Sequence, residues 1–250
     1  MKISGSAHLF LITCFIFLSL QQLNAQTPAA DSLLYRKAIS NAVQVYYQVT
    51  AEQSGLFNGS QYGAYPFRFE EEGHQYFMSN KPGMGAVLYD NVLYESVQLQ
   101  YDEVQEVVIM QDSVRRIQLL NPRIASFTLF GNPFVRIVKD STSRPLVRTG
   151  FYNVLYNGGI VLLKKEEKLI REEVTREAVL RFIDVNTYYY LQKAGVYYSI
   201  RNKNSLADIF DDRKKEIRQF IRKNKLSYKH DRDNMLAQTV AYYDQLNKKR

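Results

Sequence analysis

The sequence predicts an antiparallel, β-dominated α+β fold: a long meander with one helix before it and two after it. Three observations carry this. Between about residues 74 and 200 apolar and polar side chains alternate, as where Val97, Leu99 and Tyr101 interleave with Ser96, Gln98 and Gln100. The breaks between such runs are short and turn-like, for example Asp90-Asn91, Gly131-Asn132 and Lys193-Ala194-Gly195. Connections that short favour antiparallel neighbours, because a parallel pair needs a crossover of about a dozen residues or more. On both sides of this region the apolar period returns to that of a helix.

Residues 1–25 read as a secretory signal peptide. Lys2 is the only charged side chain before Asp31, and Leu9–Leu20 is apolar except for Thr13 and Ser19. Small residues follow, with cleavage expected between Ala25 and Gln26. The apolar run is shorter than the roughly 20 residues of a membrane span, so no transmembrane span is expected.

Residues 26–60 read as a helix and a turn. Asp31 and Ser32 can cap a helix over 31–54, with Ala38, Ala42, Val45 and Val49 on its apolar stripe, and Gly55 can end it. Residues 61–200 hold the sheet. The candidate strands are His74–Ser79, Gly85–Tyr89, Val92–Tyr101, Val104–Met110, Val114–Leu120, Ile124–Leu129 and Phe134–Val138, then Phe151–Tyr156, Ile160–Lys164, Val179–Val185, Tyr188–Gln192 and Val196–Ile200. The charged stretch Lys165–Arg176 fits either an exposed hairpin or a short helix.

Residues 201–250 form a basic helical tail, expected to pack on the sheet. Leu206, Ile209, Phe210, Ile217, Phe220 and Ile221 share one face, opposite Arg213, Lys214, Lys215, Arg218 and Arg222. A last helix over 233–247 turns Leu236, Val240, Tyr243 and Leu246 inward.

Composition narrows the chemistry. The chain has 250 residues, 46% of them apolar and 23% charged, which excludes a disordered or low-complexity chain. Removing residues 1–25 leaves 225 residues and takes away the one cysteine, so no disulfide and no thiol chemistry is expected. The sheet region is neutral, whereas residues 200–250 carry 14 basic and 7 acidic groups. Export argues against nucleic acid as the partner of that tail, and anionic lipid headgroups or lipopolysaccharide are the better match, while Asp211 and Asp212 early in the helix and Arg222, Lys223 and Lys225 at its end complement the helix dipole and need no partner at all.

No nucleophile, zinc or phosphate-loop motif is present. His74 follows Glu70-Glu71-Glu72 and reads as part of a solvated loop. His230 with Asp231 and Asp233 reads as a helix cap. No metal site and no cofactor is expected. Asp102, Glu103 and Glu106 could supply paired carboxylates for hydrolysis, and read more simply as a polar hairpin end. The tyrosine doublets offer a ligand surface: neighbours in a strand point to opposite faces, so Tyr188, Tyr190 and Tyr197 could line one face as aromatics turned to a ligand.

Four stretches carry a resemblance: Leu56-Phe57-Asn58-Gly59 with Tyr62; Val87 to Glu95 with Tyr101-Asp102; Gly150 to Gly158; and Lys203 to Leu226. In these the chain resembles a group of secreted proteins common in Bacteroidota, to which no activity is assigned. That resemblance also implies short O-glycosylation motifs at Asp31-Ser32-Leu33, Asp112-Ser113-Val114 and Asp140-Ser141-Thr142. The meander could curl into a half-barrel resembling periplasmic lipoprotein carriers. The expected function is that of an exported, non-catalytic envelope protein, periplasmic or extracellular, binding a small molecule, a lipid or an envelope protein. The alternatives are a carboxylate-dependent hydrolase and an envelope assembly factor acting through the basic helices.

Overall fold

Tight turns set the sheet. At Asp90-Asn91, Phe130-Gly131 and Ala194-Gly195 both central residues have positive φ, the geometry of a two-residue hairpin matched to strand twist. The computed structural model describes residues 34–42, 45, 55–112, 114–139 and 147–248. The leader, the Ala25–Gln26 junction, most of the helix expected over 31–54 and the three Asp-Ser motifs, each in whole or in part, lie outside the described residues. Residues 1–46 form a unit of their own, of which residues 34–42 are helical.

The second unit carries eleven described strands in one antiparallel sheet. They are β1 (Ser60–Gln61), β2 (Gly83–Tyr89), β3 (Val92–Asp102), β4 (Val107–Gln111), β5 (Arg116–Gln118), β6 (Ile124–Leu129), β7 (Asn132–Ile137), β8 (Gly150–Asn157), β9 (Ile160–Val174), β10 (Val179–Lys193) and β11 (Val196–Ile200). The order β1-β5-β4-β3-β2-β6-β7-β8-β9-β10-β11 is a meander with two departures: β1 pairs with β5 instead of β2, and β6 returns to pair with β2 instead of β5. The sheet is β-dominated and open, with β1 and β11 at its edges.

Several strands differ from expectation. His74–Ser79 makes only an isolated bridge, Tyr76 to Asp102. Val104–Gln105 belongs to a turn, so β4 begins at Val107. Lys165–Arg176 is the exposed hairpin of the two alternatives and not the helix: it forms the outer arm and turn of a hairpin in which a fifteen-residue β9 pairs along its length with an equally long β10 that absorbs two expected strands.

After β11 come three helices, where two were expected: α1 (Lys203–Ile209), α2 (Lys214–Lys223) and α3 (Arg232–Lys248). The expected first helix breaks at Phe210, whose φ and ψ of −101° and 43° leave the helical region. That break lets the Phe210 ring stack on Tyr243 of α3 at 3.8 Å. Asn202 caps α1 by accepting from the Asn204 and Ser205 N–H groups.

One face of the sheet is inner. In its first half it fills itself: Val87, Leu99, Tyr101, Phe127, Leu129, Phe134 and Phe151 form one buried cluster. In its second half the helices cover it, with Leu162, Leu191, Ile200, Leu206, Phe210, Ile217 and Leu236 in a second cluster. A bulge between Val154 and Tyr156 turns the Tyr156 side chain to this helical side. There Asp244 of α3 accepts the Tyr156 hydroxyl (2.8 Å) and the Gly159 N–H (3.1 Å).

Candidate functional site

The densest ionisable cluster lies where the curled sheet meets itself. Strand β9 pairs with β8 only as far as Lys164, so β8 and β9 diverge beyond that point. The β3–β4 turn, residues 103–106, sits against that opening. The Glu106 carboxylate accepts the Phe151 N–H at 3.0 Å and pairs with Lys165. Lys165 is buried and also lies over the Tyr152 ring. Glu103 pairs with Lys168 at 3.3 Å, and the same ammonium donates to the carbonyls of His74 and Tyr76. Lys164 bridges Glu166 (2.9 Å) and Asp233 at the start of α3 (2.7 Å), and Asp233 accepts the Tyr189 hydroxyl at 2.5 Å.

Burial pushes the Glu103 carboxyl up to about 7, against the pull of Lys168. Burial, then the bond to Asp233, raises the Tyr189 phenol well above its usual range. Burial opposes the Lys164 charge, but Asp233 and Glu166 outweigh it and keep the ammonium above its usual value. An inner gap of about 10 Å³ borders Glu103, Glu166, Lys164 and Asn153 on one side and Tyr101 and Phe134 on the other. That is room for about one water. Carboxylate-driven hydrolysis needs a bound substrate between or beside its acids, and this gap is too small to hold one. The seam joins the two cores of the sheet.

The three acids Asp102, Glu103 and Glu106 form a hairpin end as expected, with Asp102 and Glu103 buried and Glu106 half-buried. Asp102 is fully buried on the outer face, accepting the Tyr62 hydroxyl at 2.6 Å and the N–H groups of Val104 and Gln105. Beside it Arg116 donates to Tyr76 and to Gln100, with its guanidinium over the Tyr62 ring.

The strand register puts Tyr188, Tyr190 and Tyr197 on the outer face. Tyr190 and Tyr197 are half-buried against the buried cluster of Val147, Tyr152 and Leu163. Burial raises both phenols. Tyr190 meets Tyr152 edge-on at 5.8 Å. Tyr188 stands apart and is exposed. The alternation that suggested one continuous aromatic strip fixed the face but not the burial of each ring. His74 and His230 occupy different surroundings, the first half-buried beside Tyr76 and the second exposed, where Asp231 caps the Asn234 N–H. Among the described residues no group of three His, Cys, Asp or Glu is placed to hold a metal ion. Among them, too, no helix is long and apolar enough to cross a membrane.

A further feature is a basic surface on α2. Lys215, Arg218, Arg222 and Lys223 are exposed and line an open hollow together with Gln219. No family model, no curated protein and no solved structure matches this chain.

Proposed function

We propose that the protein is exported and acts in the cell envelope as a non-catalytic binding protein, making its contacts from its outer surfaces. One observation carries this reading. The inner face of the sheet, where a curled sheet would hold a ligand, is filled by its own rings and by three helices, leaving the water-sized gap beside Glu103. Surfaces open to a partner include the outer aromatic face near Tyr188, Tyr190 and Tyr197, the basic face of α2 and an open hollow lined by Tyr65, Phe67, Phe69 and His74. Export rests on the leader read from residues 1–25.

The test is native mass spectrometry of the protein released from its own cells, with N-terminal sequencing of the same sample. A chain beginning at Gln26 and carrying a stoichiometric partner is the expected result. A chain retaining Met1, or turnover of a panel of glycoside, ester and peptide substrates, would replace this reading.

A further inference from the structure

The tail sorts its charges by direction. Six of its seven acidic side chains are engaged within the fold. Asp208 pairs with Lys214 and Glu216 with Arg213. Asp212 accepts the Tyr243 hydroxyl, and Asp231 caps Asn234. Asp233 holds Lys164, and Asp244 holds Tyr156 and Lys248. Arg232 lies over the Tyr228 and Tyr189 rings. On α2, by contrast, Lys215, Arg218, Arg222 and Lys223 are exposed and make no ion pair among the described residues. The helix dipole accounts for Arg222 and Lys223 in the last turn. It disfavours Lys215, which sits in the first turn, and gives Arg218 nothing.

The opposite side of the same helix is committed to the fold. Ile217 and Ile221 are buried, and Phe220 stacks on Tyr242 of α3 at 4.1 Å. The cationic side is therefore held outward by packing. It spans positions 215 to 223, about 12 Å of helix. Its hollow is lined by five residues of this one helix. A small-molecule pocket would need a second wall, and a protein hot spot would need an apolar anchor at its centre. This surface has neither. It presents flexible stems with charged ends, which suit a plane of laterally mobile anions.

We infer that α2 docks the protein onto an anionic lipid surface through Lys215, Arg218, Arg222 and Lys223. The helix lies on the headgroups without entering the hydrocarbon. The inference rests on the envelope reading above for where such a surface is met.

The test is co-sedimentation of the purified protein with vesicles. One set contains phosphatidylcholine with about a third phosphatidylglycerol, the other phosphatidylcholine alone. The parent is expected to bind the anionic set only, and to be released by 0.5 M salt. Each basic side chain near such a surface is worth roughly a five-fold change in partition. The variant Lys215→Gln/Arg218→Gln/Arg222→Gln/Lys223→Gln should therefore lose on the order of 100-fold or more, with an unchanged melting temperature. Equal binding of parent and variant, or of both vesicle sets, would overturn the docking. So would parent binding to soluble heparin that abolishes vesicle binding by the parent without any loss in the variant. If the parent ignores vesicles but carries a stoichiometric protein partner from its cells, the lipid inference fails and the binding reading stands.

Discussion

The Tyr101 ring on β3 meets the Phe151 ring on β8 edge-on, with centroids 5.8 Å apart, although the sheet order places four strand steps between them. In a flat sheet those steps would amount to roughly 19 Å. The sheet therefore curls until its inner face touches itself. Tyr101 also meets Phe134 on β7 at 5.5 Å, and Phe127 stacks on Phe134 at 4.5 Å. These rings occupy the space that a half-barrel would leave for a ligand.

Phe151→Ala is thus expected to remove a ring that holds the curl. It is 2% exposed, and a buried Phe truncated to Ala costs about 3–5 kcal/mol. Urea unfolding of variant and parent checks this. A shift of the midpoint equivalent to less than about 1 kcal/mol would mean that the curl is held elsewhere.

Glu103 gives the fold a pH dependence. The folded chain holds this proton up to about 7, against an ordinary 4.5, because the carboxyl is buried. The folded state therefore binds the proton more tightly than the unfolded chain does. This contribution to stability is present below about 4.5 and is lost as pH rises through about 7, on the order of 3 kcal/mol in all. His74, held low by burial and then by Lys168, acts with the opposite sign. Comparison of Glu103→Gln with the parent isolates the first effect. The variant should gain on the parent between pH 5 and pH 8, as read by urea midpoints, and two parallel curves would contradict the assignment.

Asp244 ties the β8–β9 turn to α3. Burial works against its charge, but bonds from Lys248, Tyr156 and the Gly159 N–H outweigh that and hold the carboxyl below its usual range. Asp244→Ala leaves the Tyr156 hydroxyl and the Gly159 N–H without their acceptor. A cost of about 1.5–3 kcal/mol is expected, as for hydrogen bonds to a charged group. Thermal melts of Asp244→Ala and Tyr156→Phe compare the two sides of the bond, and the Asp variant should be the less stable.

On α2 the packed residue is Ile217. It is fully buried, whereas Phe220 is half-exposed and stacks on Tyr242. Ile217→Ala should cost about 2–5 kcal/mol, and Phe220→Ala less, about 1–2 kcal/mol, because it loses one ring contact rather than a place in the core. Denaturation of the two side by side would reverse this assignment if Phe220→Ala proved the worse.

Local rules made most of the sheet legible. Ile124–Leu129 and Val196–Ile200 are strands over the residues that alternation assigns, because turn chemistry flanks each. Lys165–Arg176 was legible only as a choice between exposed hairpin and helix, because both faces of that stretch carry charge and no apolar period remains to decide. The apolar face of α2 was visible, but helical spacing ranks Ile217 and Phe220 alike, and only the position of α3 separates them. The pairing of β6 with β2 also left no trace in the sequence, since both neighbours of β2 satisfy the same alternation. The polar seam was invisible for a related reason. Glu103 and Lys168 lie 65 positions apart and meet only once the sheet has curled. Of the three tyrosines Tyr188, Tyr190 and Tyr197, the sequence placed the face but not the neighbours that half-bury two of them.

The long pairing of β9 with β10 has a consequence in time rather than in space. From Lys165–Tyr188 to Val174–Val179 the two strands have no third strand beside them among the described residues. Backbone elsewhere reaches this ribbon at Lys168, from the Glu103 carbonyl, and at Arg181, from the Glu70 N–H. Two strands alone are marginal in water. Beyond the seam held by Lys165 and Lys168, the ribbon can therefore come apart and re-form many times while the curled part of the sheet stays intact. Its amides will take up deuterium through that local opening, on a clock separate from the one that governs loss of the whole fold.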